Sequence, residues 1–304
     1  ALGGIVCFGC VSYSAPLMGL CGERGVRITH LSERGRFHAR VEGPVSGNVL
    51  LRREQYRRAD QPEAAAALAR SIVIGKIANS RTVLQRAARD HEGRSGMDDI
   101  GRVVTRLGVL LKDLENDVPL EILRGREGEA ANQYFGVFDH LITAQKEAFR
   151  FTVRSRRPPM DSINALLSFL YTLLVHDASA AIETVGLDPQ VGYLHALRPG
   201  RPALALDLIE EFRPFLADRL ALSLVNLRQV QAGGFVKSES GAVVMDDETR
   251  KALLLAYQKR KQEEIFHPFI EEDVSVGLLF HVQALLMARH LRGDLDAYPP
   301  FIWK

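Results

Sequence analysis

The sequence predicts an α+β chain: a small N-terminal β-rich domain, residues 1–58, followed by a large all-helical domain, residues 59–304. Two observations carry this. Before Pro62, short β-branched and aromatic runs are separated by glycines; after it, apolar residues recur at helical spacing almost without interruption. A third observation bounds the class. At 304 residues, 46% apolar and 25% charged, the chain is an ordinary globular one with length enough for a sizeable core.

In order, Gly4 to Phe8 reads as a buried strand closed by Gly9. Ser14-Ala15-Pro16 opens a short helix, with a capping serine and a proline in the first turn, that ends near Gly22 or Gly25. Val26 to Leu31 and Phe37 to Val41 form a hairpin around Glu33-Arg34-Gly35, and residues 43–48 form a loop. Helices follow at about 63–89, 98–114, 119–123, 127–143, 161–185, 203–227, 246–262 and 271–291. The three cysteines, Cys7, Cys10 and Cys21, suit a reducing cytoplasm. Cys7 and Cys10 have CxxC spacing without a second pair, which reads as core packing rather than metal or redox chemistry. No run approaches a membrane span: 165–175 is apolar but short, with Asp161 and Asp177 bounding it. The chain starts at Ala1 in mid-strand character, so a preceding segment is expected.

Chemistry concentrates between Glu127 and Glu210. If 203–215 is helical, Asp207 and Glu210 project from one face. With His195 from a preceding loop and Glu127 from an earlier helix, they make a carboxylate and imidazole set suited to Mg²⁺ or Mn²⁺, with no cysteine nearby to favour structural zinc. The plain alternative is a helix-starting glutamate, a loop histidine and two solvated helix charges. His140, His176, His267, His281 and His290 lie in or beside apolar helical runs and read as hydrogen-bonded core or surface groups.

The net charge of +2 does not announce nucleic-acid binding, so that case rests on local clusters. Arg52, Arg53, Arg57 and Arg58 flank the expected linker, Lys76 and Arg81 lie on the long helix, and Arg150, Arg154, Arg156 and Arg157 precede Pro158-Pro159. Such patches meet phosphate backbones, although the linker arginines also read as a solvated face.

These pieces resemble the CRISPR-associated adaptation integrase, or "Cas one", family over essentially the whole chain. The resemblance is carried by Gly47-Asn48-Val49-Leu50-Leu51-Arg52, Lys76-Ile77-Ala78-Asn79-Ser80-Arg81 and Gly125-Arg126-Glu127-Gly128. It continues through Arg157-Pro158-Pro159-Met160-Asp161-Ser162, Gly192-Tyr193-Leu194-His195, Asp207-Leu208-Ile209-Glu210 and the tail from Leu291 to Pro300. The tail and Phe212-Arg213-Pro214 look closest to the type I-C branch.

The resemblance implies a metal-dependent DNA integrase and endonuclease that inserts short captured DNA at a CRISPR repeat. It implies a homodimer formed largely through the first domain, and a larger complex with the small second adaptation protein of the system. Glu127, His195 and Glu210 match the family's metal ligands, with Asp207 a nearby acid of open role. Lys76, Arg81, Arg154, Arg156 and Arg157 would hold DNA phosphates. Arg126 departs from the family's apolar residue, and an inward guanidinium there would perturb the site. A stand-alone nuclease on branched DNA and a non-catalytic DNA-binding scaffold are the alternatives.

Overall fold

A computed structural model describes residues 4–33, 37–43 and 49–303. Strand β1 (Gly4–Phe8), helix α1 (Ala15–Glu23), and strands β2 (Arg27–Leu31) and β3 (Phe37–Val41) build the first unit. Helix α1 is the crossover that lets β1 run parallel to β2, with Gly4 opposite Arg27. Strand β3 then returns antiparallel, with a register shift at His30/Leu31. Ser14 caps α1 through Leu17 N. Cys7, Cys21, Val26 and Ile28 form this unit's small core, so one cysteine of the CxxC pair packs inside while Cys10 is exposed. Arg34 and Gly35 of the expected turn, and 44–48 of the expected loop, lie outside the described residues.

The expected linker is instead helix α2 (Val49–Asp60), which runs into α3 (Pro62–Asp90) with Pro62 in the first turn of the latter. It packs on α3, and its buried Gln55 donates to the carbonyls of Asp188 and Val191 at 2.7 and 2.8 Å. Its arginines therefore differ. Arg52 is tied to the Gly186 carbonyl and Arg58 to His290, while Arg53 and Arg57 are exposed.

Helix α3 is the spine of the larger unit. It packs against α4 (Met97–Asp113), α5 (Leu120–Gly136) and the segment 209–218. Helix α5 is continuous across Gly125 and Gly128, so Glu127 is a mid-helix residue rather than a helix start. Two glycines cost about 1 kcal/mol each relative to alanine in a helix interior, and packing overrides that cost here. Helix α6 (Ser162–Thr184) starts at its Asp161 cap, which accepts from Asn164 N at 2.7 Å. It runs through Asp177, whose carboxylate accepts from Tyr257 and Lys261. The helix matches the expected 161–185, but the expectation that no run approaches a membrane span does not hold for it: it is long and apolar enough to cross one, and 61% of that window is buried inside the protein.

The expected helix 203–227 is broken into α7 (Ala203–Leu208), a 3₁₀ turn Ile209–Glu211, a π-helical stretch Arg213–Asp218 and α8 (Arg219–Asn226). Pro214 is the cause: it has no N–H to give the preceding turn, and its ring crowds the carbonyl four residues back. The larger unit is also not wholly helical. Strands β4 (Phe235–Lys237) and β5 (Val243–Met245) pair before α9 (Asp247–Gln262). Strands β6 (Glu264–His267) and β7 (Glu272–Ser275) pair before α10 (Leu279–Arg292). The helix expected from 271 thus begins at Leu279, because Glu271 turns the chain with φ 57° into β7.

The two units meet through Arg27, which donates to the Ala180 carbonyl at 2.6 Å and pairs with Glu183 at 3.0 Å, and through Phe8 stacked on Phe169.

Candidate functional site

The 3₁₀ turn after α7 aims Glu210 into the interior, where it is 1% exposed. Its Oε1 pairs with Arg213 at 2.6 Å, and its Oε2 lies 2.7 Å from Lys76 Nζ. The same ammonium pairs with Glu127 from α5. One cation therefore bridges the two carboxylates. Burial opposes ionisation of Glu210, but Arg213, Lys76 and the nearby His195 overcome it and bring its carboxyl down to about 2.

His195 stands between Asp207 and Glu210. Its Nδ1 donates to Asp207 Oδ1 at 2.7 Å, which leaves Nε2 facing Glu210 Oε1 at 3.7 Å. Asp207 is fully buried and is a hub: it also accepts from the backbone N–H groups of Tyr193, Leu194 and His195 at 2.6, 3.0 and 2.9 Å. The loop is gripped from two other sides. Gln55 holds Asp188 and Val191, and Arg124, one turn before Glu127 on α5, donates to the Leu194 carbonyl at 2.8 Å.

Gly192 is required by this packing. A Cβ there would lie 2.6 Å from both Ala203 C and Asp207 Oδ2. Gly192→Ala is expected to cost about 2 kcal/mol through forced backbone movement, measured by urea unfolding. It should also weaken any activity that depends on His195.

Of the residues singled out in the sequence, the structure brings together Glu127, His195, Asp207, Glu210 and Lys76. It does not bring Arg81 with them. Arg81 lies on another side of α3 from Lys76 and donates to the Val104 carbonyl at 3.2 Å. Arg154 is engaged locally, donating to Asn164 Oδ1 at 2.6 Å and stacking over Tyr171, and burial lowers its basicity. Arg156 and Arg157 are exposed, beside the cis Arg157-Pro158 bond. Arg126 faces Asp113 and Glu129 at 3.3 and 3.4 Å, so its guanidinium is not turned into the carboxylate cluster. Arg213 was missed in the sequence. Its signal was its place three residues after Glu210, the spacing of a helical ion pair.

Among the described residues, no three His, Cys, Asp or Glu side chains converge closely enough to hold an ion as they stand. Instead, the Lys76 ammonium pairs with both Glu127 and Glu210. The donor chemistry nonetheless fits a hard divalent cation. Two carboxylates already share a positive charge, a carboxylate-oriented imidazole keeps Nε2 free, and buried Glu210 Oε2 has the Lys76 ammonium at 2.7 Å but no further hydrogen-bond donor.

Comparison with known proteins places the chain in a family. Residues 1–259 match the family model described as CRISPR associated protein Cas1. A CRISPR-associated endonuclease Cas1 of Chlorobaculum tepidum is 54% identical over 303 residues, covering 100% of this chain and 88% of the relative. A second, from Rhodospirillum rubrum, is 51% identical over 313 residues with the same coverage of each chain. Among solved structures, a Cas1 protein from Thermotoga maritima superposes with a TM-score of 0.79 at 26% identity, over 96% of this chain and 86% of that one. A casposase bound to integration product reaches a TM-score of 0.83 over 99% of this chain and 82% of that one; at 22% identity it speaks to the fold alone. A family model covering most of the chain, and relatives more than half identical along its full length, put this protein in the Cas1 family.

Proposed function

We propose that this chain is a DNA integrase and endonuclease of CRISPR adaptation, acting in the cytoplasm as a homodimer with a small second adaptation protein. The observation that carries the reading is the convergence of Glu127 and Glu210 on one cation, with His195 Nε2 turned towards Glu210 by Asp207. Glu127, Glu210 and His195 Nε2 are the groups that would hold Mg²⁺ or Mn²⁺. When bound, the ion supplies charge neutralisation at the phosphoryl oxygens and orientation of the nucleophile.

In the reaction, the 3′-oxygen of a captured strand forms a bond to a phosphorus at the repeat edge, and the P–O3′ bond of the repeat strand breaks. The proton lost by the attacking hydroxyl is balanced by one gained on the released 3′-oxygen. The residues of this chain prepare the site for that exchange. Asp207 fixes His195 in the tautomer that leaves Nε2 as an acceptor, and its four N–H donors favour this orienting role over that of a second ligand. Arg213 keeps the buried Glu210 anionic. Exposed Arg156 and Arg157 are available to DNA phosphates.

The test is strand transfer from a branched half-integration DNA in Mn²⁺, comparing the parent with Glu127→Ala and His195→Ala. The parent is expected to join strands and both variants to give no product. An inert parent, or variants that match it, overturns the assignment. Repeating the assay with the partner protein and a repeat target separates the two activities: product on branched DNA with no insertion at the repeat would make the chain a stand-alone nuclease on branched DNA.

A further inference from the structure

We propose that the C-terminal segment 298–303 is a positioning element of the active site, holding the Ile209–Glu211 turn so that Glu210 keeps its aim. The inference rests on the functional reading above for the role of Glu210, and on separate contacts for the coupling.

The segment has no regular secondary structure, yet Tyr298, Phe301 and Trp303 are buried. Its anchors fall on the frame of the site. Glu211, the neighbour of Glu210 on the same turn, is fully buried and points the other way. It accepts from Tyr298 OH and Phe301 N, each at 2.7 Å, and from Gln283 Nε2 at 3.0 Å. Asn79, on α3 three residues from Lys76, ties the two strands of this contact together. Its amide donates to the carbonyls of Glu211 and Phe301 at 2.7 and 2.9 Å, and its oxygen accepts from Trp303 N at 2.8 Å.

The approach is close enough to dictate a glycine. A Cβ on Gly75 would lie 2.9 Å from Pro300 Cβ and 3.1 Å from Glu211 Cγ. The Trp303 ring has the guanidinium carbons of Arg86 on α3 and Arg219 on α8 at 3.9 and 4.2 Å from its centre.

The turn needs such support. It is three residues long, follows a helix of six and precedes the Pro214 break. Lys76 and Arg213 restrain it from the Glu210 side, and the tail restrains it from the Glu211 side. Contacts one layer behind metal-binding groups characteristically change metal affinity by about 10- to 100-fold when removed.

Trp303→Ala loosens the tail without touching Glu210 or Glu211, and Tyr298→Phe removes only the hydroxyl that reaches Glu211. Two readouts apply to the full chain. Hydrogen exchange of the metal-free protein is expected to accelerate in residues 204–216 for both variants, not only in 298–303. Mn²⁺ titration by calorimetry is expected to show the dissociation constant rising about tenfold in Trp303→Ala, and less in Tyr298→Phe. Exchange confined to the tail, or parent-like Mn²⁺ binding in a variant whose only change is a lower melting temperature, overturns the proposal and leaves the tail a packing element. A parent that binds no Mn²⁺ overturns the metal reading instead, and the exchange pattern then decides the coupling by itself.

Discussion

Asp207→Ala is expected to lose about 4 kcal/mol of stability, the range for breaking a buried hydrogen-bond network, and to abolish strand transfer. The residue is fully buried, and its two oxygens serve four donors: three consecutive backbone N–H groups and the His195 ring. Alanine leaves all four without a partner. Asp207→Asn keeps the shape but replaces one acceptor by a donor facing N–H groups. It should be less damaging to stability while still freeing the His195 tautomer, so activity should fall by about 100-fold or more. Urea unfolding and strand-transfer rates, measured on both variants, separate the two effects. Parent-like stability in Asp207→Ala would show that the 193–195 loop does not depend on this carboxylate.

The second large effect concerns Glu210 and acid. Its carboxyl ordinarily titrates at 4.5 and is brought down to about 2 in the fold. A depressed folded value means the stabilisation is fully present above pH 4.5 and is lost as pH falls through about 2. The shift corresponds to about 3 kcal/mol. Glu210→Gln lacks this contribution at every pH and leaves Lys76 and Arg213 as buried cations short of their partner. The expected gap between parent and variant is about 3 kcal/mol at pH 6 and closes towards pH 2. Denaturant unfolding at pH 6, 4, 3 and 2 measures it. A gap independent of pH would mean that the ion pairs with Lys76 and Arg213 are not what holds the buried charge.

The sequence made much of this legible because several elements obey local rules. Asp161 and Asp246, where the helices 161–185 and 246–262 were expected to start, cap α6 and α9, and α3 and α4 follow their apolar periodicity closely. The misreadings have tertiary causes. The gap expected at 124–126, around Gly125, is absent: α5 continues through it, while Arg124 and Glu127 on the same helix bind the His195 loop and Lys76. The apolar pattern of 203–227 hid the Pro214 interruption, because buried residues on both sides of the π stretch keep a helix-like spacing. The short β6–β7 ladder has too few residues to show alternation. Lys76 was legible as a cation and not as a neighbour of Glu127 and Glu210, since 51 residues separate it from the first of these in sequence.

That neighbour has an electrostatic consequence for the resting site. Two carboxylates held close in a low-dielectric interior repel each other and any polyanion that approaches. With Lys76 between them and Arg213 behind, three acids (Glu127, Asp207 and Glu210) face two fixed cations, and 3 − 2 leaves one excess negative charge. The cluster is thus preorganised with its own internal counter-ions. On the proposed reading, it can keep its shape before any divalent ion binds, and it would present a nucleic-acid backbone with a weak opposing field rather than a bare cluster of acids.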